Sequence, residues 1–118
     1  VNRVANPDNL SFSQKMDTLF IGEDSGMHLN NAVWAYNVNS KALARILTVP
    51  AGAECTGLQA KDDVNGFSYV LSNFQHPGDW KFALPAQAGL AAAVKVKWGA
   101  LKNAKATVGY IGGIPKLG

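Results

Sequence analysis

The chain has 118 residues, 47% of them apolar and 16% charged, with twelve glycines, a single cysteine and a formal net charge of +3. That is material for one modest core, and it excludes a disordered chain, an intrachain disulfide framework and a long-helix architecture. The charge is divided: residues 1–79 hold all eight carboxylates against five cations, and the six lysines that follow have no carboxylate among them. Those lysines lack interleaved aromatics and arginine, so they read as a solvated basic face rather than a nucleic-acid surface. No stretch approaches the roughly eighteen apolar residues of a membrane span. The start Val1-Asn2-Arg3 has neither Met nor a signal-peptide layout, as expected of a cytoplasmic chain or of a processed or excised piece.

In chain order, the first half offers four short β-type runs separated by turn chemistry: Asn9 to Phe12, Thr18 to Gly22, Ala32 to Val38 and Ala44 to Val49. Trp34, Tyr36 and Val38 alternate with Val33, Ala35 and Asn37, the period of a half-buried strand. Asn39-Ser40-Lys41 supplies a hairpin turn. A second unit starts at Glu54, where Leu58, a polar turn over Lys61 to Gly66 and a strand Phe67 to Phe74 echo Leu10, the turn Ser13 to Asp17 and the strand from Leu19. The offset is close to fifty residues, the spacing of propeller repeats, although an antiparallel sandwich carries similar punctuation. From Asp79 the pattern changes. Pro85 suits a first helical position, and Leu90, Val94, Trp98 and Leu101 form one apolar stripe, predicting a helix over about Ala86 to Lys102. A last short strand, Ala106 to Ile111, ends at Gly112-Gly113 and Pro115. The expected fold class is mainly β: antiparallel sheets of a partial β-propeller, about two blades over residues 1–79, then one helix and a short closing strand over 80–118.

Three segments could carry chemistry. Asn6-Pro7-Asp8-Asn9 and Gly22-Glu23-Asp24-Ser25-Gly26 place carboxylates and amides at strand ends beside turns, the oxygen-rich chemistry that hard cations take, or else ordinary Asx turns. Adjacent residues on a strand end point to opposite faces, so Glu23 and Asp24 are expected to differ in role, one inward and the other in a turn. In Gly52-Ala53-Glu54-Cys55-Thr56-Gly57 a carboxylate stands among small residues, where it calls for a cation or several donors. Cys55 falls on the opposite face and reads as a buried, inert thiol, the alternative being a metal-binding thiolate. The third segment, Ser72 to Asp79, runs a strand into a turn that exposes Gln75 and His76. His28 and His76 do not make a zinc site by spacing, and neither a phosphate-binding P-loop nor a GxSxG elbow is present.

Taken in order, Asn6-Pro7-Asp8-Asn9-Leu10, Leu19-Phe20-Ile21-Gly22-Glu23-Asp24, Ala53-Glu54-Cys55-Thr56-Gly57 and Gln75-His76-Pro77-Gly78 resemble the succession of motifs near the C-terminal end of the PhoX-type alkaline phosphatases. The resemblance covers roughly residues 5 to 80. It implies a secreted or periplasmic six-bladed propeller that holds calcium and iron through carboxylates and one thiolate and hydrolyses phosphate monoesters. By motif, Glu23 and Glu54 become the expected metal carboxylates, Asp24 and Asn9 further ligands or their supports, and Gln75 and His76 the pocket rim. Cys55 does not correspond to that family's iron-binding cysteine, and its phosphate-clamping arginines have no match here. Two blades leave most of a ring to other segments or other chains, so the 118 residues are expected to be inactive alone. Two further readings suit the same residues: a non-catalytic extracellular calcium-binding propeller with a structural or adhesive role, and a lactonase-type calcium propeller.

Overall fold

A computed structural model describes residues 3–78, 92–93, 96–97 and 105–115, and in them the chain is mainly β. Strands β1 (Pro7–Ser13), β2 (Thr18–Glu23), β3 (Ala32–Asn37) and β4 (Leu43–Thr48) form an antiparallel meander in spatial order 1-2-3-4. A second antiparallel sheet holds β5 (Glu54–Val64), β6 (Phe67–Gln75) and β7 (Thr107–Pro115) in order 5-6-7. The expected helix lies almost wholly outside the described residues; Ala92, Ala93, Val96 and Lys97, which are described, are helical. Both sheets are open, and neither closes on itself.

Local chemistry sets the hairpins. Asp17 and Lys41 take positive φ in the first and third turns, and the Asn37 side-chain oxygen accepts hydrogen bonds from the backbone N–H of Asn39 and Ser40, so that β3 turns sharply into β4. The polar stretch expected as a turn over 61–66 is strand up to Val64, and the turn is the pair Asn65-Gly66, with φ of 53° and 83°. Both values are positive, as a tight two-residue hairpin requires. Asp62 is accordingly no turn residue: its carboxylate accepts a hydrogen bond from the Ser13 hydroxyl across the sheets.

The core lies between the sheets and is made of Phe20, Val33, Val49, Ala53, Cys55, Leu58 and Val70. The two sheets meet along β1, β2 and β5 and diverge towards β4 and β7. Gly22 of β2 lies close against β5, where a Cβ would come within 2.6 Å of the Cys55 carbonyl oxygen. Side-chain to backbone bonds join β1 to β5: Gly57 N–H donates to Asn9 Oδ1 at 3.0 Å and Ala60 N–H to Ser11 Oγ at 2.9 Å. With the Ser13–Asp62 bond, these contacts join residues 48 or 49 apart in sequence.

Candidate functional site

Antiparallel pairing brings the start of β1 level with the end of β2, Pro7 opposite Glu23, and the start of β5 level with the end of β6, Glu54 opposite Gln75. Because Gly22 lets β2 press against Cys55, these strand ends share one end of the two-sheet unit. The alternation expected at Glu23-Asp24 is what separates their environments.

Glu23 is fully buried. Its Oε1 accepts from Ala5 N–H at 2.8 Å, and its Oε2 accepts from Ala32 N–H at 3.1 Å and lies 3.1 Å from His28 Nδ1. The carboxylate therefore ties the entry to β1 and the start of β3 to the end of β2, and the imidazole of His28 covers it. Beside it, Asn31 is buried and bridges two loops, accepting from Ser25 N–H and donating to the Ala53 carbonyl. Neither His28 nor Asn31 is a partner that sequence spacing identifies. The only available signal was the density of Asn, Ser and His between β2 and β3.

Asp24 is exposed and turns the other way, towards Glu54. Burial raises the Glu54 pKa first, and a side-chain hydrogen bond and charge repulsion from Asp24 raise it further. His76, whose Nε2 lies 3.2 Å from Glu54 Oε1, and a hydrogen bond with Gln75 act in the opposite direction. Four of the sequence-predicted residues, Asp24, Glu54, Gln75 and His76, thus meet in one cluster. Glu23 and Asn9 do not join it: Glu23 is enclosed by its own donors, and Asn9 holds Gly57 across the sheets.

Cys55 is buried on the opposite face of β5 from Glu54, and burial, reinforced by the Glu23 charge, pushes its thiol up to about 12 despite a backbone hydrogen bond from Glu23. Such a group stays a neutral thiol. Among the described residues no three of His, Cys, Asp and Glu form a preformed metal cage. An apolar cleft of about 210 Å³ opens where the sheets diverge, between Leu47, Val49 and Pro50 on one side and Val70, Phe74 and Ile111 on the other, and none of the cluster residues lines it. Comparison with family models, with curated proteins and with solved structures finds no match.

Proposed function

We propose that this chain is part of a calcium-dependent phosphomonoesterase of propeller architecture, to which it contributes Asp24, Glu54, Gln75 and His76. The observation that carries the reading is convergence. Three strand ends from two sheets bring these side chains together around a carboxyl whose pKa is raised by burial and by a second carboxyl. A divalent cation relieves that arrangement, since it favours the ionised form of both acids at once. The donors suit calcium, being two carboxylates and an amide oxygen with room for carbonyl or water ligands. Iron held by a thiolate fits less well, because Cys55 faces the core as a neutral thiol.

When bound, the cation supplies Lewis-acid stabilisation for the phosphoryl oxygens of a monoester. The chain's own groups have separate tasks. Glu54, only 15% exposed, anchors the cation, and Asp24 adds the second carboxylate from the neighbouring sheet. Gln75 orients Glu54, and His76, two-thirds exposed at the rim, holds Glu54 Oε1 through its Nε2. The divergence of the sheets away from β1 and β5 supports the propeller part of the reading, since blades fan outward from an axis. A non-catalytic calcium-binding role is favoured by one observation: Arg45 stacks over Trp34, 4.8 Å from the ring centroid, and is therefore not placed to clamp a phosphate at the cluster.

Calorimetric titration of the chain with calcium chloride tests the site. Wild type is expected to bind and Glu54→Gln to bind at least tenfold more weakly, and equal binding rejects the assignment. Hydrolysis of p-nitrophenyl phosphate by the assembled particle then separates the phosphatase from the non-catalytic reading.

A further inference from the structure

We infer that Asn9 is a positioning residue for Glu54: from the first sheet it holds a bulge in β5, and that bulge turns the carboxyl out of the core and towards Asp24. The purpose of the arrangement rests on the cation-site reading above, while its geometry stands on the register of β5 alone.

Glu54 pairs with Gln75, Cys55 with Phe74 and Thr56 with Asn73, but pairing resumes at Gln59 with Leu71, so Gly57 and Leu58 together oppose Ser72. One residue of β5 is therefore extra, and Gly57, with φ of 61°, takes the left-handed conformation of a glycine bulge. The consequence falls on the faces of the strand. In an unbroken strand Glu54, Thr56 and Leu58 share one side. Leu58 is in the core, so an unbroken β5 would point Glu54 into the core as well. With the bulge, Cys55 and Leu58 are both in the core, and Glu54 falls on the opposite side, with its Oε1 3.2 Å from His76 Nε2.

Two asparagines fix the bulge. Asn73 of β6 occupies the place of the missing side chain: a Cβ on Gly57 would lie 1.9 Å from its Oδ1, and its Nδ2 donates to Thr56 Oγ1 at 2.7 Å. That clamp is local to the second sheet. Asn9 reaches in from the first sheet, where its Oδ1 accepts the Gly57 N–H at 3.0 Å. It pairs with Gly22, two residues before Asp24. One side chain therefore joins the strand end that carries Asp24 to the bulge that presents Glu54, and fixes the spacing of the two carboxyls. The bond from Ala60 N–H to Ser11 Oγ, at 2.9 Å, joins the same two strands beyond the bulge and has no such leverage on Glu54.

The test compares Asn9→Ala, Asn9→Asp and Ser11→Ala in the full chain. Without calcium, nuclear Overhauser contacts between the Glu54 γ protons and the His76 ring report where the carboxyl points. They are expected in wild type, in Ser11→Ala and in Asn9→Asp, which keeps an acceptor oxygen, and are expected to be lost in Asn9→Ala. Should Asn9→Ala not fold, Asn9→Leu, which keeps the volume and lacks the acceptor, takes its place. Calorimetry with calcium chloride is expected to show at least tenfold weaker binding in Asn9→Ala and unchanged binding in Ser11→Ala. Contacts that survive in Asn9→Ala, or that vanish equally in Ser11→Ala, overturn the inference. If wild type binds no calcium but the contacts behave as expected, the positioning of Glu54 by Asn9 is supported and the cation reading is rejected instead.

Discussion

Two acids on facing sheets, Glu23 at the end of β2 and Glu54 at the start of β5, show how position decides what a carboxylate does. Glu23 has two backbone N–H donors and an imidazole, so it serves as a structural tie. Glu54 is largely buried and has a carboxyl for a neighbour, so it holds a proton more tightly in the folded chain than in the unfolded one. The consequence for stability has a definite sign. The contribution of Glu54 is complete below its ordinary value of 4.5 and is lost as pH rises through the raised folded value. In the absence of calcium, Glu54→Gln is expected to flatten the fall in urea midpoint as pH rises above 4.5. Parallel curves for the two proteins reject the coupling. Cys55 supplies a second check at this scale. Its thiol is buried and pushed up to about 12, so a disulfide exchange reagent at pH 8 is expected to leave the native chain untouched and to titrate one thiol in denaturant. Fast labelling of the native chain contradicts the packing of the core.

Among the elements, β2 and β5 come close together across the two sheets, and glycine is what permits it. Gly22→Ala drives a methyl group to 2.6 Å from a backbone oxygen, and neither strand can move without disturbing its own ladder. A loss of about 2 kcal/mol or more is expected. Gly109→Ala in β7, where a Cβ meets nothing within 4 Å, is expected to stay within about 0.5 kcal/mol of wild type. Similar losses for the two variants contradict the close approach. This scale also shows what was legible in the sequence. The four strands of the first sheet and the strand Phe67 to Phe74 follow from alternation and turn residues, and lie within a residue or two of those expected. β5 extends through Lys61-Asp62-Asp63 although three consecutive charged residues argue for a turn. Their strand conformation is set by pairing with β6 and by the Ser13 bond to Asp62, which are tertiary facts. That Asp24, Glu54, Gln75 and His76 lie at strand ends was legible, but their meeting apart from Glu23 and Asn9 was not, because it depends on how the two sheets pack. The enclosure of Glu23 was not, because its donors come from Ala5, His28 and Ala32, two of them backbone groups without a sequence signature.

For the whole molecule, the question is whether the two sheets are independent or one cooperative unit. Neither sheet alone encloses a core: the cluster takes Phe20 and Val33 from the first, Cys55, Leu58 and Val70 from the second, and Val49 and Ala53 from the link between them. β4 is exposed along its whole length, so the first sheet gains its burial mainly through β2 and β3. Separating the sheets would expose both sides of that core together, and small sheets without a covered face are marginal in water. A single transition is therefore expected in urea, with loss of the far-ultraviolet β signal and exposure of the Cys55 thiol sharing one midpoint. The thiol is a suitable reporter because Cys55 lies in the shared core and its carbonyl faces Gly22 of the opposite sheet. If labelling of Cys55 begins at clearly lower urea than loss of β structure, the sheets part before they unfold, and each is then a stable unit in its own right. Coincident midpoints in wild type, both moved to lower urea by Gly22→Ala, place the β2–β5 junction at the centre of the cooperative unit.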